Sequence, residues 1–272
     1  VSFGTSAPEL FVSITAALNG SPDIAMGNVV GSNIANIGLV LGITAMLFPL
    51  VIDRNSVVID WPAMMISSLI FIAFAWDYEI TRIEGSCLFV ILILFIFFLI
   101  RNSHKAMMSN GEEKGHLHAS PVKSHILKHI LMVAAGCCAL VLGAHLLVDN
   151  AIVIARTYQV SERIIGITAI AFGTSLPELA TSCIAAFRKQ TDISVGNLIG
   201  SNIFNILAII GITTMVKPMQ HINAGILQTD MVWMIGIAAI LFPLLFFGKK
   251  LSRWEGGILF ISYIAYYYMI LS

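Results

Sequence analysis

The stretch SFGTSAPELFVSITAALNGSPDIAMGNVVGSNIANIGLVLGIT, residues 2–44, returns 169 positions later as AFGTSLPELATSCIAAFRKQTDISVGNLIGSNIFNILAIIGIT, residues 171–213. The copies align without a gap and agree at 23 of 43 positions, which marks a duplication rather than shared apolar composition. The identities cluster in Phe3-Gly4-Thr5-Ser6, Pro8-Glu9-Leu10, Gly27-Asn28 and Gly31-Ser32-Asn33-Ile34. Each copy sets a glutamate directly after a proline, Glu9 and Glu178, inside an otherwise apolar run of membrane length. An ionisable side chain within a bilayer is costly and is a functional hypothesis by default. Its recurrence in a duplicated frame is the layout of a transporter with one central site shared by two halves.

Composition agrees with a membrane location. Hydrophobic residues make up 58% of the chain and charged residues 11%, with a mean hydropathy of +0.90. Soluble domains carry roughly 25% charged residues, so the expected class is an all-α polytopic membrane protein. The net charge of zero argues against a nucleic-acid partner. The lipid bilayer is the implied partner; nothing in the chain calls for a cofactor or an obligatory protein partner. Cys87, Cys137, Cys138 and Cys183 lie in apolar segments without Cys-x-x-Cys spacing and are expected to be small core residues.

A spanning helix needs about 20 apolar residues. The chain offers nine such segments, the first cut short: Val1–Leu18, Ala25–Ile52, Val57–Trp76, Ile83–Ile100, Ile126–Val148, Ile164–Phe187, Ile193–Val216, Met231–Phe247 and Trp254–Leu271. The repeat extends past the motif, since Ile80-Thr81-Arg82-Ile83-Glu84-Gly85 matches Leu251-Ser252-Arg253-Trp254-Glu255-Gly256, and Asp60 matches Asp230. The counterpart of Ile126–Val148 falls before Val1, roughly 45 residues upstream by the repeat's own length. The chain is therefore expected to lack its first helix and the start of the second. Five spans per half is an odd number, which forces the halves into opposite orientations. The expected architecture is two inverted five-helix repeats, residues 1–101 and 126–272, joined by a polar linker at 102–125. With that linker in the cytoplasm, eleven of the fifteen Lys and Arg residues fall inside, and only Arg82, Arg156, Arg163 and Lys217 fall outside.

The motif carries hard-cation chemistry. Proline lacks an amide hydrogen and frees a carbonyl about four residues back, and at membrane depth such a carbonyl must line a polar site. Glu178 has Thr174 one turn earlier on its face, and Ser201 and Asn205 are likewise four apart. Copy one repeats the set with Thr5, Ser6, Glu9, Ser32 and Asn36. Carboxylate, hydroxyl and carbonyl oxygens suit Ca²⁺ and Na⁺ rather than softer metals. Two glutamates brought together give a formal charge that matches one divalent cation.

These residues resemble the two alpha repeats of the cation/calcium exchanger superfamily, and are most similar to its prokaryotic sodium/calcium exchanger branch. The resemblance rests on Phe-Gly-Thr-Ser-x-Pro-Glu-Leu followed by Gly-Asn-x-x-Gly-Ser-Asn-Ile-x-Asn, in both copies. It implies a ten-helix fold and alternating-access exchange of Ca²⁺ for Na⁺. It further implies that Glu9 and Glu178 ligate Ca²⁺ and are shared with Na⁺, and that Thr5 and Thr174 complete the calcium site. Ser6, Ser175, Ser32 and Ser201 would surround flanking sodium sites, and Ala171, matched by Ser2, would offer a backbone carbonyl. Asn36 and Asn205 stand where some relatives, including potassium-dependent ones, carry aspartate; this departure removes a possible third charge.

Other features have plainer readings. The histidines at 104, 116, 118, 125 and 129 read as part of a solvated polar loop. Glu84, Glu255, Arg82 and Arg253 sit at helix starts and read as anchors. Trp254 and the Tyr263–Tyr268 cluster suit a membrane-interface belt. Three alternatives to sodium-coupled exchange stand beside it: a cation/proton exchanger using the same glutamates, a passive channel and an intramembrane hydrolase. The chain has no His-Glu-x-x-His motif and no serine with a base at useful spacing, so it is not expected to be an enzyme.

Overall fold

The computed structural model describes residues 2–109, 126–188, 191–248 and 250–272. All nine apolar segments are helices, with shifted ends. A single turn at Ser2–Thr5 precedes α1 (Ala7–Leu18). Then come α2 (Pro22–Leu47) and α3 (Ser56–Asp77), followed by α4 (Arg82–Ser109) and α5 (Ile126–Tyr158). The second half continues with α6 (Glu162–Phe187), α7 (Val195–Val216) and α8 (Ile226–Phe247), and ends with α9 (Arg253–Leu271). Seven of these, all but α1 and α9, are long and apolar enough to cross a membrane. Helix α4 continues through Ser109, into the stretch read as linker. His104 and His129 fall on α4 and α5, whereas Glu112, Glu113, His116, His118 and His125 lie outside the described residues.

Short contacts between loops define two ends of the bundle. At one end β1 (Leu50–Val51) pairs antiparallel with β2 (Lys250–Leu251), tying the α2–α3 loop to the α8–α9 loop. At the other, Ile80 and Met219 exchange backbone hydrogen bonds of 2.8 and 3.1 Å. The turn after α1 belongs to the second end, where Gly20 and Pro22 lie beside Lys217 and Pro218. Phe187, closing α6, belongs to the first, with its ring 6.1 Å from that of Phe48. The equivalent segments Ala7–Leu18 and Leu176–Phe187 therefore run in opposite directions, and the repeat is inverted.

Helices α2 and α7 form the centre. Of their apolar windows 89% and 72% are buried, against 17% for α4 and 22% for α3, which face outward. Glycines set how the halves interlock. A Cβ on Gly256 of α9 would come within 2.7 Å of the Gly42 carbonyl oxygen of α2. The mirror contact joins α7 to α4, where a Cβ on Gly85 would come within 2.9 Å of the Gly211 carbonyl oxygen. Backbones this close exclude any larger residue, as small-residue helix crossings in membranes do. Each central helix thus packs against the last helix of the opposite half.

Two expectations about packing are corrected. Cys87 and Cys138 are exposed on the outer faces of α4 and α5 rather than in the core, and Cys183 is intermediate. In a membrane protein an apolar segment can turn its small residues to lipid, so hydrophobic context does not assign them inward. The aromatic cluster also divides: Trp254 and Tyr268 are 87% and 76% exposed, as a belt requires, but Tyr263 and Tyr266 are buried. The anchors behave as read. Ser252 and Glu255 form a capping box on α9, and Thr81 and Glu84 make the same reciprocal bonds at the start of α4.

Candidate cation site

Each Pro-Glu motif sits just after a break in its helix. Helical turns end at Thr5 and Thr174, and new helices begin at Ala7 and Leu176 with proline in the second position. The joining serines have nearly the same backbone, φ −86°, ψ 10° at Ser6 and φ −82°, ψ 0° at Ser175. Proline favours this place because its missing N–H falls among donors that a helix start leaves unpaired anyway. The break puts a hydroxyl, a carboxylate and two helix ends at the same depth.

All eleven residues singled out from the sequence are buried. Glu9, Glu178, Ser6, Ser32, Ser201, Asn36, Asn205 and Ala171 are fully enclosed, and Thr5, Thr174 and Ser175 nearly so. The structure joins several of them across the halves. Ser6 Oγ donates to Glu178 Oε1 at 3.0 Å, and Ser32 Oγ lies 3.4 Å from Thr174 Oγ1. Thr174 Oγ1 also has Asn28 Oδ1 at 3.1 Å and the Ile170 carbonyl at 3.1 Å. Ala171 packs directly under α2, because a Cβ on Gly31 would come within 2.7 Å of its own Cβ. Its carbonyl accepts from the Ser175 N–H at 3.1 Å and has Thr174 Oγ1 at 3.3 Å.

The electrostatics are unusual for a closed interior. Among the described residues the sole ion pair is Arg163–Asp230, so neither motif glutamate has a cationic partner there. Ten buried side-chain polar atoms among the described residues have no hydrogen-bond partner. Seven of them belong to the residues singled out from the sequence: both carboxylate oxygens of Glu9, Glu178 Oε2, Asn36 Oδ1, Asn205 Oδ1, Ser175 Oγ and Ser201 Oγ. An orphaned buried acceptor costs about 1–3 kcal/mol, more when charged. All seven lie on residues of the duplicated motif. Every atom of this set is an oxygen, and three of the seven belong to the two carboxylates.

Several participants were not assigned a role from the sequence. Asn28 donates from Nδ2 to the Glu9 carbonyl at 3.2 Å and to Ser13 Oγ at 2.9 Å, tying α2 to α1 behind the carboxylate. Asn33 and Asn202 bridge the two central helices. The signal was present, since all three recur in register as Asn28/Asn197, Ser13/Ser182 and Asn33/Asn202. What hid them was the ordinary packing role of small polar residues. Also unread were paired π-helical segments, Asn36–Leu41 with Asn205–Ile210 and Ser56–Asp60 with Ile226–Asp230. Such wide turns are rare and collect at functional sites.

A helical bundle of two inverted halves, with broken helices meeting at a buried pair of carboxylates, defines an ion-exchanging membrane transporter rather than an enzyme. The chain belongs to the sodium/calcium exchanger protein family, which it matches over residues 1–101 and 128–272. It is 36% identical to CaxA of Alkalimonas amylolytica over 100% of this chain and 86% of that protein. To the sodium/calcium exchanger MaX1 of Methanosarcina acetivorans it is 32% identical, over 98% of this chain and 85% of the relative. Its fold superposes on the sodium-calcium exchanger NCX_Mj, soaked with 2.5 mM Na⁺ and 1 mM Sr²⁺, with a TM-score of 0.71 and 28% identity over 100% of this chain and 84% of that one.

Proposed function

We propose that this protein is a Na⁺/Ca²⁺ antiporter that binds Ca²⁺ between Glu9 and Glu178 and works by alternating access. The observation that carries the reading is the set of seven orphaned buried oxygens, contributed by both halves and all drawn from the duplicated stretches. In this reading Glu9, Glu178, Thr5 and Thr174 hold the divalent ion. Ser6, Ser175, Ser32, Ser201, Asn36, Asn205 and the Ala171 carbonyl complete it or serve Na⁺. The hydroxyl and amide oxygens favour sodium as the coupling ion, since proton exchange needs only the acids.

The two halves, 1–101 and 126–272, share this site, with the linker in the cytoplasm and the protein in the cell membrane. If three Na⁺ replace one Ca²⁺, a site of charge −2 passes from neutral to positive and transport is electrogenic. Uptake of ⁴⁵Ca²⁺ into proteoliposomes should then follow an imposed Na⁺ gradient and respond to membrane potential. Uptake driven equally well by a pH gradient in Na⁺-free medium would overturn sodium coupling in favour of proton exchange.

A further inference from the structure

Four asparagines lie where the central helices cross, and their hydrogen bonds pair them across the halves. Asn36 Nδ2 donates to Asn202 Oδ1 at 3.0 Å. Asn205 Nδ2 donates to Asn33 Oδ1 at 3.4 Å. Since Asn33 and Asn36 are the repeat counterparts of Asn202 and Asn205, these are one contact made twice, with partners exchanged. The supports repeat too. Asn202 Nδ2 donates to the Asn33 carbonyl at 3.1 Å and lies 3.6 Å from Met64 Sδ, while Asn33 Nδ2 lies 3.6 Å from Met234 Sδ.

The consequence lies in the amide geometry. A primary amide carries its acceptor and its donors on opposite sides, so fixing the NH₂ group turns the oxygen the other way. Asn36 Oδ1 and Asn205 Oδ1 are both buried and without a partner. Asn36 stands one turn from Ser32, which touches Thr174 across the halves, and opens the π-helical segment Asn36–Leu41. Asn33 and Asn202 have no orphaned atoms of their own. They differ in kind from the other pair: each spends its oxygen on a neighbour's amide.

We propose that Asn33 and Asn202 are positioning residues, each holding the amide of the opposite half's Asn205 or Asn36 so that its carbonyl oxygen is presented to the transported cation. Each half thereby sets a ligand of the other, and the two halves cannot shift at this crossing without turning a ligand oxygen. The inference rests on the cation-site reading above and adds residues that do not touch the ion. Neutral amide oxygens contribute proportionately more to a monovalent than to a divalent ion held by two carboxylates, so the effect falls mainly on Na⁺.

The test is Na⁺ competition against ⁴⁵Ca²⁺ binding to the purified chain, with variants arranged as double-mutant cycles. Asn202→Ala should raise the Na⁺ concentration for half-displacement roughly three- to tenfold, the worth of one neutral hydrogen bond, with Ca²⁺ affinity in Na⁺-free buffer within about threefold. Asn36→Ala should do the same. The pair Asn36→Ala/Asn202→Ala should be no worse than Asn36→Ala alone, the non-additivity expected of two residues in contact. Asn202→Ser and the mirror cycle of Asn33 with Asn205 carry the test if Asn202→Ala does not fold. Additive losses for Asn36 with Asn202, or a Na⁺ dependence unchanged in Asn202→Ala, would overturn the proposal. Glu178→Gln in the same assay separates the two readings: if it binds Ca²⁺ normally the site itself is wrong, and if it does not, a null result at Asn202 condemns only the positioning role.

Discussion

The two halves share a sequence and a fold, yet they differ where their polar residues are satisfied. Asp230, in the second half, is fully buried and held by three donors: Arg163 Nε at 2.6 Å, Arg163 Nη2 at 2.7 Å and Tyr266 Oη at 3.0 Å. Its counterpart Asp60 forms no ion pair among the described residues and is only partly buried, beside Gly196. The same split runs through the site. Glu178 receives the hydroxyl of Ser6, but the counterpart Ser175 Oγ gives no bond to Glu9 and is left without a partner. Duplication set the ligands in pairs, but their hydrogen bonds are not paired in the same way. The bidentate bridge ties the start of α6, the helix carrying Glu178, to the base of α8.

The largest expected effect tests what the halves have in common. Glu9→Gln and Glu178→Gln keep size and hydrogen bonding but each removes a charge from a buried cation site. Breaking a buried charge pair typically costs about 3–5 kcal/mol, and each 1.4 kcal/mol is about tenfold. Ca²⁺ affinity should fall by at least about a hundredfold in both, measured by ⁴⁵Ca²⁺ titration, and near-wild-type binding by either would sink the shared two-carboxylate site.

The next effect probes where they differ. Arg163→Met leaves Asp230 buried without its cation and should destabilise the protein by about 3–5 kcal/mol, while Asp60→Asn should cost less than about 1 kcal/mol. Thermal unfolding in detergent compares the two directly. Equal losses would show that the bridge adds nothing to the stability of the second half.

A finer comparison concerns the two motif serines. Ser6→Ala removes a hydrogen bond to the Glu178 carboxylate and should weaken Ca²⁺ binding more than Ser175→Ala, by about threefold to tenfold. A reversed order would mean that the Ser6–Glu178 bond competes with the ion instead of orienting its ligand. Smallest of all should be Glu84→Gln and Glu255→Gln. These carboxylates cap helices far along the chain from the motif, so Ca²⁺ affinity should stay within about threefold. A larger drop at either position would extend the ion pathway to the helix starts.

Much of this protein is legible without coordinates because its physical constraints are local or periodic. Membrane-length apolar runs, the odd number of spans per half and a glutamate after proline inside a bilayer segment each follow from a short window of residues. They were enough to place the helices, the inversion and the two carboxylates. Tertiary structure decided what depends on which face meets which neighbour. Cys87 and Cys138 turn outward because an apolar helix in lipid has no polar side to orient it. Tyr266 turns inward because a buried Asp230 needs its hydroxyl. Nor could the sequence pair Asp230 with Arg163, since the two lie on different helices. The exchanged asparagine pairs are the limiting case: the repeat aligns Asn33 with Asn202 and Asn36 with Asn205, but hydrogen bonds join Asn36 to Asn202 and Asn205 to Asn33. Alignment compares equivalent positions, whereas inversion brings non-equivalent ones into contact.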